Sequence, residues 1–182
     1  RGKFRMKGIK ATNTVAVGDI VEFESSEQDD FHVITGIAER NNYIIRRSTN
    51  LSKQHHIIAS NIDQAILMVT LGFPETTTLF IDRFLISAEA YNIPVKLVFN
   101  KMDLYNEELN EEIDYLINIY QRVGYECLKT SATKKTGLSE LKELLQDKST
   151  VIAGHSGVGK STLINALDPS LKLKTTDISM HH

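Results

Sequence analysis

The sequence holds one cysteine, no tryptophan and three prolines among 182 residues. Cys127 has no cysteine to pair with, so it closes no internal disulfide and builds no cysteine-based zinc cluster. Long apolar runs are also missing. AILMVTL at 65–71 is among the longest, far short of the ~20 residues a membrane-spanning helix needs. No basic-then-apolar leader opens the chain, and its start, RGKFRMKGIK, lacks an initiator Met and reads as internal sequence. These absences point to a cytoplasmic protein with no membrane role. Charge of one sign is lacking too: the net charge is −2, which excludes a chain that binds nucleic acid over its whole surface. What is present, 41% hydrophobic and 24% charged residues, is the composition of a globular protein.

Local charge is less even. Arg1, Lys3, Arg5, Lys7 and Lys10 stand in the first ten residues with no acid among them. Such an arm can meet phosphates, or its lysines can guard an exposed strand edge.

Texture divides the chain near residue 60. Residues 1–60 read as short strands: AVGDIVEFE (16–24), with Val17, Val21 and Phe23 around a Gly18-Asp19 turn, then FHVITGIAER (31–40) and YIIRRS (43–48) about Asn41-Asn42. Short strands at this spacing predict a small barrel or sheet, incomplete unless earlier residues belong to it. Residues 61–182 alternate strand and helix. The expected strands are 65–71, 94–99, 125–129 and 149–154. The expected helices are 77–92, with Leu79, Phe80, Arg83, Phe84 and Ser87 on one stripe, 107–123, with Ile113, Leu116, Ile117 and Tyr120, then 137–146 and 160–167. Alternation of this kind predicts a parallel sheet with helices on its faces.

Two stretches carry chemistry. GHSGVGKS (154–161) fits G-x-x-x-x-G-K-[ST] at every fixed position, with the apolar strand TVIA before it and the apolar helix STLINAL after it. Gly154, Gly157 and Gly159 let backbone N–H groups turn toward phosphate oxygens, and the helix N-terminus adds partial positive charge. Lys160 supplies a compact cation for the outer phosphates and Ser161 a hydroxyl for Mg²⁺. The phosphate-binding segment thus runs through Gly154, His155, Ser156, Gly157, Val158, Gly159, Lys160, Ser161 and Thr162. His155 occupies a free position and is expected to face solvent.

The second stretch, FNKMDLY (99–105), ends a buried strand, where parallel sheets place ligand loops. Asp103 can accept two hydrogen bonds, from the ring N–H and exocyclic amine of guanine. Adenine offers no such pair and would leave the carboxylate unsatisfied, and a mismatch of this kind discriminates by about 10⁴–10⁵-fold. Asn100 would brace the other base edge and neighbouring loops, and Lys101 would lay its stem over the base. Thr130-Ser131-Ala132 ends the next strand as a companion loop: Ala132 N–H donates to the guanine carbonyl, and Ser131 holds the loop.

The order NKMD, TSA, GHSGVGKS resembles the circularly permuted GTPases, and within them the RsgA (YjeQ) family of small ribosomal subunit biogenesis GTPases. GKFRMKGIKATNTVAVGD and NYIIRRSTNLSKQHHIIASNIDQAILMVTL extend that resemblance over nearly the whole chain. It implies an α/β P-loop GTPase domain, circularly permuted and mostly parallel, at 61–182, preceded at 1–60 by a partial OB-fold-like all-β domain. It further implies GTP or GDP with Mg²⁺, and ribosome-stimulated GTP hydrolysis with the small ribosomal subunit and its rRNA as partners; the chain itself is expected to be a monomer. A C-terminal domain binding Zn²⁺ is implied beyond this chain. Arg1, Lys3, Phe4, Arg5, Lys7, Arg46 and Arg47 are the candidate RNA contacts. No D-x-x-G of switch II occurs anywhere in the sequence, and LKTTDISMHH (173–182) is expected to lead into a missing switch, so no catalytic residue is assigned. Two other readings stay open at this point: an ATP-dependent P-loop kinase or ATPase, and a nonenzymatic RNA-binding scaffold that nucleotide stabilises.

Overall fold

The computed structural model describes residues 14–25, 32–47 and 55–175. The chain separates into two compact units, Arg1–Ile62 and Asp63–His182.

In the first unit β1 (Val21–Ser25) pairs antiparallel with β2 (His32–Ile37), and β3 (Tyr43–Arg47) pairs antiparallel with β4 (His55–Ser60). Among the described residues these are two separate two-stranded ladders. Val17, expected in a strand with Val21, instead forms an isolated bridge to Ala59. Strand β4 has no counterpart among the strands expected from sequence. The reason is local: Ile57 is buried while Ile58 is 43% exposed, so adjacent isoleucines hide the alternation that marks a strand.

A buried ion pair organises this unit. Arg40 Nε donates to Asp19 Oδ1 at 2.6 Å, and Nη2 donates to Oδ2 at 2.7 Å. The two side chains are 5% and 0% exposed. The remaining acceptor capacity of the carboxylate is filled by Ser60 Oγ at 2.5 Å and the Ala16 N–H at 2.8 Å. A buried charge is tolerable only when paired and fully hydrogen-bonded, and this one is. Gly18 sits beside it at φ +89°, where a Cβ would lie 2.1 Å from the Ser60 carbonyl oxygen, so the close approach requires glycine.

The second unit is a four-stranded parallel sheet in the order β7-β6-β5-β8, with β5 (Gln64–Val69), β6 (Val95–Phe99), β7 (Glu126–Lys129) and β8 (Thr150–Ala153). Every residue of the central β5 is buried. Helices α1 (Thr78–Glu89), α2 (Glu107–Arg122) and α3 (Leu138–Leu145) connect successive strands, and α4 (Lys160–Leu167) follows β8. Right-handed crossovers place α1 and α2 on one face and α3 on the other. Accordingly the Tyr120 hydroxyl of α2 donates to Asp82 of α1 at 3.0 Å. On the opposite face Ile66, Met68 and Val98 of the sheet pack with Leu141 of α3, Leu163 of α4 and Val158. Burial and the Asp82 partner together raise the Tyr120 pKa, so the phenol stays protonated as a donor.

The helix ends follow their sequence. Thr77 caps α1 and Asn106 caps α2, each side chain accepting a backbone N–H of the first turn. Ile113 and Tyr120 are the buried anchors of α2, as their spacing predicts. The stripe expected on α1 is corrected. Ile81, Leu85 and Ala88 face the sheet, whereas Leu79 is 57% exposed, and Arg83 and Ser87 are exposed. Apolar residues lie all around α1, Ile86 included at 69% exposure, so the helical period alone could not select the buried face.

The Asp19–Arg40 pair yields a stability prediction. Hydrogen bonding to Arg40 holds the Asp19 carboxyl at a pKa of about 2. That contribution is present above the ordinary carboxylate range and is lost as pH falls through about 2. Asp19→Ala strands the guanidinium and should cost the first unit about 3–5 kcal/mol. Hydrogen exchange of β3 and β4 amides at neutral pH, compared with Arg40→Ala and the double variant, measures it. Protection unchanged in Asp19→Ala would refute the clamp.

Candidate functional site

Strand register creates the site. Val69 pairs with Phe99, Phe99 with Lys129, and Leu67 with Ala153. The four parallel strands therefore end along one edge of the sheet. Four loops leave from that edge: 70–77, 100–106, 130–137 and 154–159. Ligand loops of open parallel sheets cluster at such an edge whatever their order in the chain.

The phosphate-loop sequence forms the expected strand-loop-helix turn. Gly154, Gly157 and Gly159 take φ of +147°, +85° and +97°. At Gly159 a Cβ would stand 2.6 Å from Asn100 Nδ2, so a side chain there would displace the neighbouring loop. Val158 is fully buried in the core below, pinning the middle of the loop. Lys160 opens α4, and its Nζ donates to the carbonyls of Gly154 at 2.8 Å and His155 at 2.7 Å. Burial lowers the Lys160 pKa. Ser161 is half-buried and Thr162 exposed in the first turn of α4. Ser156 is exposed. His155, expected to face solvent, is half-buried, and its ring lies 4.0 Å, centroid to centroid, from the Phe80 ring of α1. Phe80 sits on the flank of α1 rather than in the core, and that placement makes it available to the loop.

NKMD meets this loop directly. Asn100 is 2% exposed, and Nδ2 donates to the Val158 carbonyl at 2.9 Å. Its Oδ1 accepts from Thr130 Oγ1 at 3.0 Å, so one buried amide ties three loops. Lys101 takes a left-handed conformation at φ +67°, and its Nζ donates to the Gly157 carbonyl at 2.7 Å and to the Phe73 carbonyl. Burial lowers its pKa. Met102 N–H donates to the Thr130 carbonyl at 3.2 Å.

Asp103 points out of the core. Ser131 Oγ, 1% exposed, donates to its Oδ1 at 2.5 Å, and Thr133 Oγ1 donates to its Oδ2 at 2.8 Å. Desolvation pushes this carboxyl up, but the two hydroxyls, the residue's own backbone N–H and the nearby Lys134 charge together outweigh it, and the net shift is downward, toward the ionised acceptor. Ala132 packs against the core cluster, which holds the start of the companion loop in place.

Sequence reasoning missed Tyr105, Phe80 and Thr133. The Tyr105 ring is 9% exposed; its hydroxyl accepts from Leu71 N–H and donates to the Asn100 carbonyl, both at 3.2 Å. A tyrosine two residues past the aspartate is a weak signal, because an aromatic after a polar turn is ordinarily read as packing. Among the described residues no group of three or more His, Cys, Asp or Glu side chains could hold a metal, and no helix is long and apolar enough to cross a membrane. The basic candidates Arg1, Lys3, Phe4, Arg5 and Lys7 lie outside the described residues. Arg46 and Arg47 fall on β3, and their side chains are not among those described.

Known proteins carry the same arrangement. The RsgA GTPase family model matches residues 37–182. The small ribosomal subunit biogenesis GTPase RsgA 2 of Bacteroides thetaiotaomicron is 57% identical over 182 residues, all of this chain and 58% of the relative. Its Flavobacterium johnsoniae counterpart is 56% identical over 183 residues, 98% of this chain and 56% of the relative. The crystal structure of YjeQ from Thermotoga maritima superposes with a TM-score of 0.73 at 43% identity, covering 97% of this chain and 58% of that one. YloQ, described as a circularly permuted GTPase, gives 0.63 at 34% identity, covering 91% and 55%. The chain spans a little over half the length of the curated relatives it matches. With a base-type loop bound to the backbone of a later phosphate-type loop, and the family match covering most of its length, the chain belongs to the RsgA GTPase family.

Proposed function

We propose that this chain is the nucleotide-binding part of a GTPase that hydrolyses GTP during maturation of the small ribosomal subunit. One observation carries the reading. Asn100 and Lys101 are hydrogen-bonded to the Val158 and Gly157 carbonyls, so two motifs separated by more than fifty residues and in permuted order form one site. A phosphate loop alone serves ATP as well as GTP. The Asp103 carboxylate, ionised and held by two hydroxyls, is what favours guanine.

In this reading Gly154 to Thr162 wrap the phosphates, with loop N–H groups and Lys160 supplying positive charge. Lys101 covers the base, Asp103 takes its two N–H donors, and the Ala132 N–H meets its carbonyl. Mg²⁺ fits the donor set: Mg²⁺ takes one or two protein oxygens and completes its shell with phosphate and water, and the Ser161 hydroxyl stands on the first turn of α4 beside Lys160. Bound there, it would neutralise charge between the outer phosphates. Hydrolysis is in-line attack of water on the γ-phosphate, driven by positioning and charge stabilisation. No residue of this chain is assigned to position that water.

The same proposal covers the rest of the molecule. The first unit belongs to an OB-fold-like module whose basic residues meet rRNA, and the protein works as a cytoplasmic monomer. A zinc centre belongs to a C-terminal domain beyond residue 182. Ladders of short strands and a basic opening segment support the first assignment; the family relationship supports the others.

Two variants test the nucleotide assignment. In Asp103→Asn the base donors lose their acceptor. GTP affinity should fall steeply, and the preference for GTP over ATP, on the order of 10⁴-fold for a matched carboxylate, should vanish. Competition binding reads this, and undiminished GTP preference would remove Asp103 from the base site. Lys160→Ala should weaken GTP and GDP by about a hundredfold, the scale of a lost charge-assisted contact in a partly desolvated site, while loss of its contacts to the Gly154 and His155 carbonyls lowers thermal stability only slightly. Isothermal titration with a parallel melting curve checks both halves of that statement.

A further inference from the structure

We propose that Thr133 is a specificity-determining residue for the guanine base: its hydroxyl locks the plane of the Asp103 carboxylate so that both oxygens face the base together. This rests on the nucleotide reading above and concerns a residue that reading leaves without a role.

Ser131 Oγ accepts the Lys134 N–H at 3.0 Å and donates its single proton to Asp103 Oδ1 at 2.5 Å. Thr133 Oγ1 has one proton as well, and it goes to Asp103 Oδ2 at 2.8 Å. Either hydroxyl could donate across their 3.1 Å separation, but the ionised carboxylate is the stronger acceptor and takes both protons. A carboxylate has about four acceptor sites, two per oxygen. The hydroxyls occupy one on each oxygen, and Asp103's own backbone N–H also bears on the carboxylate; from the remaining capacity guanine's ring N–H and exocyclic amine require one site on each oxygen.

The second anchor matters because of the torsion between Cβ and Cγ. That torsion is broad for an aspartate. A single bond from Ser131 would let the carboxylate swing about its held oxygen. Two bonds, one to each oxygen, fix the plane. A base with one N–H donor tolerates a swinging carboxylate, and a base with two side-by-side donors does not. Thr133 therefore acts on the difference between guanine and a base lacking the exocyclic amine. The loop is built to hold it: Ser131 and Thr136 exchange two backbone hydrogen bonds at 3.1 Å each, closing the turn that carries Thr133. Ser131 anchors from the core side at 1% exposure, whereas Thr133 is exposed and reaches the carboxylate from outside.

The test compares GDP with inosine diphosphate, which lacks only the exocyclic amine, on the intact protein. Thr133→Val keeps the shape and removes the donor. Binding of GDP should weaken about tenfold, the scale of one hydrogen bond to a charged group, while inosine diphosphate weakens by much less. Thr133→Ser keeps the donor and should restore the discrimination. Equal losses for both nucleotides would mean that Thr133 merely shapes the loop and would overturn the proposal, as would no loss for either. If the unsubstituted protein binds GDP no better than ADP, the base-site reading itself falls and takes this proposal with it.

Discussion

The hydrogen bond from the Asn100 side chain to the Val158 carbonyl is the contact on which the rest of the site depends. It is buried, and it joins the end of β6 to the loop that follows β8, two strands with β5 between them in the sheet. A buried amide that loses its partner costs about 1–3 kcal/mol, so the two loops are coupled: neither can move without orphaning a polar group in the other. Gly159 is the counterpart of that bond. The amide lies where a Cβ would be, so the approach of the loops and the absence of a side chain are one requirement. Thr130 then extends the coupling to the third loop by donating to the other end of the same amide.

This explains how a permuted order is compatible with one assembled loop cluster. The loops are assembled by strand register and by side chain–backbone bonds between strand ends, and neither depends on which strand comes first. Lys101 shows the same logic, since its ammonium bonds two backbone carbonyls from loops that precede and follow it in the chain. Backbone acceptors are indifferent to sequence order; only the geometry at the edge of the sheet matters. What permutation does change is the exit of the chain from the site. Here α4 leaves the phosphate loop, and Asn165 on that helix clasps Leu173 through both its amide groups at 2.8 Å.

Much of the second unit is legible from sequence, because buried parallel strands are continuous apolar runs and amphipathic helices such as α2 carry their period openly. The two nucleotide-type motifs are legible because their residue types are fixed by chemistry: glycine where φ must be positive, lysine and serine at the start of the helix, aspartate after a strand. What hides is whatever depends on a neighbour. The buried face of α1 is set by the sheet beneath it, and its own sequence is apolar on more than one side. Strand β4 is masked because adjacent isoleucines go to opposite faces. His155 reads as a free loop position, and only the arrival of Phe80 from another element packs a tilted ring against it. Thr133 and Tyr105 are ordinary residues until the loops they bridge are placed. The Asp19–Arg40 pair joins residues 21 apart in sequence, and no local pattern announces it.

The polar groups of the site fall into two classes by burial. Asn100, Thr130 and Ser131 are at most 2% exposed, and each is satisfied by another part of the protein. They are structural in the strict sense that their hydrogen bonds are made within the fold. Asp103 is exposed, and its two hydroxyl partners use about half of its acceptor capacity. A group held in place by the fold yet still able to accept is what recognition requires, because its ordering is already complete and a base arriving there does not have to supply it. At the phosphate loop Val158 is locked in the core, while Gly157 and Gly159 on either side are only half-buried and take positive φ. In the proposed reading, preorganisation is the outcome of burying the bracing residues and exposing Asp103, and it is achieved by loops that are not consecutive in the chain.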